Sequence, residues 1–291
     1  WKCESEKCPE IKVLGSIEEL KKEAVKLKGD IDLHKDYVDN VKLKCSCGKN
    51  MVRIPDVFDC WFESGSMPYA QFHYPFENKK MFENYSPADF VAEGLDQTRG
   101  WFYTLAVLST ALFDRAPFKN VLVNGMILAE DGKKMSKKLQ NYPDPMKVMD
   151  KYGVDALRFY LISSSVMNAD NFNFAEKGVE EIYKKVLVLL YNVTNFYESY
   201  DKIPLKKTFD SKHVIDRWIL SRVEGLVQGV NEHLENYNTI RACGEIREFI
   251  DELSTWYVRL SRDRFSEGDA DANTTLSYVL EKLSLVIAPI M

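Results

Sequence analysis

The sequence predicts two structural classes in series, an α/β half followed by an all-α half. Residues 56–165 alternate β-rich apolar runs with helical patterns at the spacing of strand–helix–strand units, which points to a parallel sheet. From about Glu176 the apolar residues recur with period 3.6. At 291 residues the chain is also long for one core, so two domains are expected.

The elements follow in order. Residues 1–55 hold short strand-like pieces and one helical stretch from Ser16 to about Leu27, where Ser16 and Glu19 have capping-box spacing. PADFVAEG reads as a strand and turn, TRGWFYTLAVLSTALF as a buried helix, and NVLVNGMIL as one strand rich in β-branched residues. PMKVMDKYG and VDALRFYLISSS read as helices, the second capped by Asp155. Four apolar stripes then mark a helical bundle: Ile182, Val186, Leu190, Val193 and Tyr197; Ile215, Ile219, Val223, Leu226 and Val230; Ile246, Ile250, Leu253, Tyr257 and Leu260; and Leu276, Val279, Leu283 and Val286. The polar, Pro-containing stretch DKIPLKKTFDSKH breaks the helical run. No internal repeat or low-complexity tract interrupts the pattern.

Composition excludes several classes. No apolar run approaches the roughly 20 residues that span a bilayer, so no membrane association is expected. WKCESEKCPE has no apolar core of a signal peptide. A formal net charge of −5 argues against a generally basic nucleic-acid binder, although local basic patches can still hold a large RNA. The missing initiator Met and the ending VIAPIM, inside an apolar helical pattern, lead us to expect a piece of a longer, cytoplasmic protein.

Six cysteines in such a chain suggest metal ligands or buried thiols rather than disulfides. Cys3 and Cys8 form one close pair, and Cys45 and Cys47, followed by Gly48, a second. Two such pairs suit a tetrahedral thiolate site for Zn²⁺, the alternative being four reduced, metal-free thiols. Cys60 and Cys243 lie in apolar patterns and are expected in the core, and the four histidines have no ligand spacing.

Two stretches carry chemistry. DGKKMSKKLQNYPDP (131–145) gathers four lysines on one loop of an acidic chain, after a strand that would belong to a parallel sheet. Such strand ends bind ligands, and lysines there can neutralise a polyphosphate, although a Lys-rich turn is more often simply solvated. VAEGLDQTRGWFYT (91–104) places carboxylates and an amide around a glycine: Asp96 and Gln97 suit a ribose diol, Glu93 an ammonium, and Gly94 close approach to the backbone. Loop carboxylates, too, are usually solvated.

The wording of these stretches goes further. Lys134, Met135, Ser136, Lys137 and Lys138 (KMSKK) resemble the KMSKS signature of class I aminoacyl-tRNA synthetases, departing from it only at Lys138. EGLDQTRGWF is similar to the EGxDQxRGWF motif of the isoleucyl subfamily, and valyl and leucyl relatives differ there. DVFDCWFESGSMPYAQ (56–71) matches the same subfamily where its connective insertion returns to the catalytic sheet. The resemblance extends through the helical half, in DRWILSRVEGL and LSTWYVRLSRDRF, and so covers nearly the whole chain.

The resemblance implies the second half of a nucleotide-binding, Rossmann-like catalytic domain followed by a helical anticodon-binding bundle. On this reading residues 1–55 end the connective insertion with a zinc knuckle on Cys3, Cys8, Cys45 and Cys47. Residues 56–175 are the catalytic half, and residues 176–291 the truncated anticodon-binding domain. The implied activity is ligation of L-isoleucine to tRNA(Ile) through an adenylate made from ATP and Mg²⁺, by a monomer. Lys137 contacts ATP and Lys134 supports the phosphates. Glu93 holds the adenylate, Gly94, Asp96 and Gln97 line the ribose pocket, Asn124 and Gly125 end an adenine-binding strand, and Trp61 lines the substrate pocket or simply packs. Arg217, Arg222, Arg259, Arg262 and Arg264 are candidates for the RNA backbone or for intramolecular pairs. No histidine stands in a His-x-Gly-His context and no Thr-rich editing pocket is present, so this piece is expected to be inactive alone. A non-catalytic RNA-binding protein and a zinc-stabilised scaffold are the readings from other classes.

Overall fold

The computed structural model describes residues 1–27, 31–136, 138–208 and 211–291. It divides into two compact units, Trp1–Ser64 and Gly65–Met291.

The first unit is built from β1 (Lys2–Cys3), α1 (Ile17–Glu23), α2 (Lys35–Val38), β2 (Leu43–Lys44) and β3 (Asn50–Val52), the strands pairing antiparallel in the order β1-β3-β2. Cys3 and Leu43 both register with Met51. Ser16 Oγ accepts the Glu19 N–H at 3.1 Å, the first half of the expected capping box, while the Glu19 carboxylate accepts the N–H of Gly15, one residue before the cap, at 2.7 Å. The core is small: Cys3, Leu20, Val38, Val41, Leu43, Cys45 and Met51. Helix α3 (Cys60–Ala70) crosses the boundary between the units.

The second unit continues with α4 (Lys79–Tyr85) and a strand–helix–strand unit of β4 (Ala88–Gly94), α5 (Trp101–Phe113) and β5 (Phe118–Asn124). β4 and β5 are parallel, with Ala88 opposite Phe118 and Gly94 opposite Asn124. Only Phe102, Leu105 and Ser109 of α5 are buried, while Tyr103 and Leu112 are more than half exposed. The expected buried helix is thus amphipathic, because one face alone lies on the sheet, against Val91, Phe118 and Val123.

NVLVNGMIL is not one strand. After β5 the chain turns at Gly125 and Met126 and resumes as β6 (Ile127–Leu128), which pairs in parallel with β7 (Phe172–Asn173). The break has a local cause: the Gly125 N–H leaves the β4 ladder and donates to Val166 O at 2.8 Å.

Helices α6 (Pro145–Tyr152) and α7 (Val154–Ile162) follow, and Asp144 caps the first by accepting the Met146 N–H at 3.0 Å. The cap of α7 is Gly153, at φ 87°, rather than Asp155. Asp155 instead sits in the first turn, where a negative charge suits the helix dipole.

The helical half comprises α8 (Glu176–Ile182), α9 (Val188–Glu198), α10 (Val214–Glu235), α11 (Thr239–Glu252), α12 (Arg259–Ser266) and α13 (Ala270–Ile287). A π turn at Tyr183–Leu187 joins α8 to α9, and another at Leu253–Val258 joins α11 to α12. One core runs from Val148 through Ile290 and takes in most of the predicted stripe residues. Leu260 is the exception, 55% exposed. The second π turn inserts a residue and rotates the face, so Ser261 and Phe265 continue the stripe and Leu260 points outward.

Candidate functional site

Parallel pairing carries the carboxyl ends of β4 and β5 to one edge, with Glu93 opposite Val123 and Gly94 opposite Asn124. EGLDQ and NG, thirty residues apart in sequence, therefore lie side by side. Glu93 and Asp96 are exposed there. A Cβ on Gly94 would stand 2.8 Å from Asp96 Oδ1, so glycine leaves room for that carboxylate. Gln97 has a structural task that the sequence did not reveal. Its Oε1 accepts the Trp101 N–H at 2.9 Å, capping α5, while its Nε2 reaches Asp96 Oδ2 at 3.3 Å.

Gly125 is required by packing. A Cβ there would sit 1.9 Å from the carbonyl oxygen of Asp170. Gly125→Ala is expected to cost about 1–3 kcal/mol through displacement of the 165–170 turn. A urea titration checks this, and an unchanged midpoint would refute it.

The lysine loop is a hairpin built on β6. Ala129 N–H donates to Lys133 O and Gly132 N–H to Ala129 O, both at 2.8 Å; Gly132 is at φ 78°, and Leu128 bridges Lys134. Lys133 Nζ pairs with Asp131 at 2.9 Å, holding the Asp131 carboxyl below its ordinary range. Lys134 and Lys138 are exposed and form no ion pair among the described residues. Lys137 lies outside the described residues. Met135 packs against the helical core. Asn141, which the sequence analysis passed over, accepts the Ser136 N–H at 2.9 Å and donates to Lys134 O at 3.2 Å.

In the first unit Trp61 lies in the first turn of α3, 43% exposed, its N–H donating to Asp59 Oδ1 at 2.8 Å. Cys3, Cys8, Cys45 and Cys47 place their sulfurs within 4.8 Å of one another. Three pairs measure 3.5 Å (Cys3–Cys47), 3.6 Å (Cys8–Cys45) and 3.4 Å (Cys45–Cys47). Four thiolates at about 2.3 Å from a tetrahedral Zn²⁺ would stand about 3.8 Å apart, so the cluster needs little adjustment to fit the ion. Gly48, at φ 82°, turns the chain after Cys47, and the Ser5 N–H points at Cys3 Sγ from 3.4 Å. The Lys49 N–H and the neighbouring thiols lower the Cys47 thiol to about 7. At Cys45 the Cys47 N–H lowers the thiol, but burial and the Glu10 carboxylate outweigh it and leave the thiol raised. Cys243 is buried as expected, whereas Cys60 is exposed, at the start of α3.

The helical arginines separate. Arg264 is nearly buried and forms two 2.7 Å bonds to Asp216, plus one of 2.8 Å to Asp269. Arg222 pairs with Glu252 at 2.8 Å. Arg217, Arg259 and Arg262 are exposed and form no ion pair among the described residues. Asp216 was missed by the sequence analysis, although a lone carboxylate beside the apolar stripe of α10 was the available signal. No described helix is long and apolar enough to cross a membrane.

This strand-end site, the lysine hairpin and the appended helical bundle lie in a chain whose family matches are those of an aminoacyl-tRNA synthetase. The chain belongs to the class I tRNA synthetases (I, L, M and V), whose family model matches residues 3–173, and the anticodon-binding domain of tRNA ligase matches residues 216–291. Within that family it is 49% identical over 291 residues to the isoleucine–tRNA ligase of Protochlamydia amoebophila, and 48% identical over 316 residues to that of Treponema denticola. These alignments cover 96% and 100% of this chain, which spans 28% of the length of either relative. In fold it is similar to an Agrobacterium radiobacter LeuRS in a ternary complex with tRNA and LeuAMS (TM-score 0.67, 22% identity, 86% of this chain and 32% of that one). It is likewise similar to Mycobacterium tuberculosis methionyl-tRNA synthetase in complex with methionyl-adenylate (TM-score 0.66, 21% identity, 82% and 50%). The fold is accordingly that of a class I catalytic domain followed by a helical anticodon-binding domain.

Proposed function

We propose that the protein containing this chain activates L-isoleucine with ATP and transfers the acyl group to tRNA(Ile). The observation that carries the reading is the parallel register setting Glu93 opposite Val123 and Gly94 opposite Asn124, with the lysine hairpin following one short strand later. The isoleucine carboxylate attacks the α-phosphorus in line, an acyl–phosphate bond forms as the bond to pyrophosphate breaks, and the adenylate remains bound. Glu93 orients the substrate ammonium, while Gly94, Asp96, Gln97, Asn124 and Gly125 bound the ribose and adenine. Gln97 also acts as the cap that fixes the first turn of α5. Lys134 and Lys137 neutralise charge developing on the pyrophosphate, the contribution that counts in the transition state. Mg²⁺ arrives with ATP and shares that neutralisation.

Trp61 is assigned to the substrate pocket and Arg217, Arg259 and Arg262 to the RNA backbone, since these arginines carry charge that no acidic partner among the described residues neutralises. Zn²⁺ would be held by Cys3, Cys8, Cys45 and Cys47 as a structural crosslink. Residues 1–55 are assigned to the end of the connective insertion, 56–175 to the catalytic half and 176–291 to the anticodon-binding domain. We place the whole protein in the cytoplasm as a monomer.

The test is amino-acid-dependent ATP–pyrophosphate exchange on the whole enzyme with isoleucine, valine and leucine. Isoleucine should drive it best, and Lys137→Ala should slow it on the order of 100-fold. Hydrophobic selection against valine is limited to roughly 1–3 kcal/mol, so some valine-driven exchange is expected as well. Exchange led by another amino acid, or indifferent to Lys137, would reject the specificity or the role of the loop.

A further inference from the structure

We propose that Asn141 is a positioning residue for nucleotide activation, holding Lys134 by clamping the peptide groups on either side of Met135. The inference rests on the phosphate-binding role given to Lys134 above, and goes beyond it by assigning the group that aims this lysine.

The side-chain amide of Asn141 makes two different bonds to one short stretch: Oδ1 accepts from the Ser136 N–H at 2.9 Å, and Nδ2 donates to Lys134 O at 3.2 Å. This is the donor–acceptor pattern of a strand partner, supplied by a side chain. On the amino-terminal side Lys134 bridges Leu128, the end of β6. Met135, between the two clamped groups, is partly buried and packs against the helical core. The backbone at Lys134 is thus tied to the sheet, to Asn141 and to the core through Met135, leaving the lysine only its own side-chain rotations.

The return of the chain is itself built for this contact. Ser136 O accepts the N–H groups of Leu139 and Gln140, at 3.2 and 2.9 Å. Gln140 takes φ 48°, a left-handed conformation uncommon for a residue with a Cβ. That tight turn brings residue 141 back alongside residues 134–136. Serine is too short to span both groups. Aspartate keeps the acceptor for Ser136 but loses the donor, and sets a carboxylate against the Lys134 carbonyl.

The test is a double-mutant cycle on the whole enzyme, read by isoleucine-dependent ATP–pyrophosphate exchange. Asn141→Ala should lower the exchange kcat about 10- to 100-fold with the isoleucine KM changed less than about 3-fold. Asn141→Asp, near-isosteric and retaining one bond, should fall between it and the parent. On a Lys134→Ala background, Asn141→Ala should cost no more than about 2-fold further, because the group it aims is gone. Transfer from preformed isoleucyl-adenylate to tRNA should proceed at the parent rate in Asn141→Ala, which a general loss of structure would not allow. If Lys134→Ala is slow while both Asn141 variants match the parent, the positioning role is overturned and the function stands. A full multiplicative loss on the Lys134→Ala background also overturns it. A parent enzyme that fails to exchange with isoleucine overturns the functional reading together with this one.

Discussion

Asp216→Ala is expected to destabilise the helical half by about 3–5 kcal/mol, because it leaves a buried guanidinium without its counter-charge. Asp216 is 0% exposed and every direction around it is occupied. Arg264 Nη1 and Nη2 donate to its two oxygens at 2.7 Å, Tyr257 Oη donates to Oδ1 at 3.0 Å, and Ser211 Oγ donates to Oδ2 at 2.6 Å. Arg264 also reaches Asp269, whose carboxylate caps α13 by accepting the Asp271 and Ala272 N–H groups. The network therefore joins α10, the π turn after α11, α12 and α13, and no water replaces a lost partner cheaply. Removing both charges is a different matter: Asp216→Leu with Arg264→Met should recover most of the loss, since a packed apolar pair avoids the desolvation. Urea titration of the two single variants and the double separates the cases. A double variant as unstable as the singles would show that packing, rather than charge, holds the site.

The same site fixes a pH dependence. Burial alone would raise the Asp216 carboxyl, but the Arg264 guanidinium and the Ser211 hydroxyl outweigh it and hold the carboxyl below its ordinary value. A folded-state value below the unfolded one, about 3.9, means that the ionised carboxylate stabilises the fold above about pH 4. This contribution is lost as the pH falls through the lower, folded value. The Leu/Met double variant should lose less stability than the parent between pH 5 and strongly acidic conditions.

The difference between what the sequence shows and what it hides follows from the range of the signal. The stripes of α10 and α13 are legible because a single helical face meets a single core over many turns, which is also why Ile215, Ile219, Val223, Leu226 and Val230 are all buried. A π turn inserts one residue without changing composition, so Leu260 was assigned to a face it does not share. β6 and β7 are two residues each, too short for alternation to register, and so NVLVNGMIL read as continuous. At the candidate site, glycines and carboxylates were legible by wording, but their physical reasons were not. Gly125 answers to a carbonyl 45 residues away, and Gln97 caps the helix that follows it. Asn141 was invisible for another reason: asparagine beside prolines has many turn uses, and only the fold shows which one applies. Asp216 and Arg264 are 48 residues apart, and nothing local pairs them.

The largest structural effect is expected from the four cysteines: stripping a bound Zn²⁺ with a chelator should unfold Trp1–Ser64 while the helical core of the second unit keeps its amide protection. The first unit has strands of two, two and three residues and seven buried apolar side chains, two of them Cys3 and Cys45 themselves. A core of that size needs a crosslink, and none of the cysteines is in a disulfide. Met51 pairs with Cys3 on one side and Leu43 on the other, so loosening the cluster frees the middle of the sheet. Coordination requires thiolates, and protons compete for them. Cys47 is already lowered to about 7 by the Lys49 N–H and its sulfur neighbours, and metal should be lost as the pH falls. Elemental analysis should find about one zinc per chain, with Cys45→Ser and Cys8→Ser each abolishing it. Hydrogen exchange should then show the amides of Cys45 and Met51 opening on chelation, with those of Val223 and Ile246 unchanged. A metal-free chain whose first unit keeps its protection would establish four reduced thiols packed as ordinary core, with the stability of that unit coming from its small sheet and the core around it.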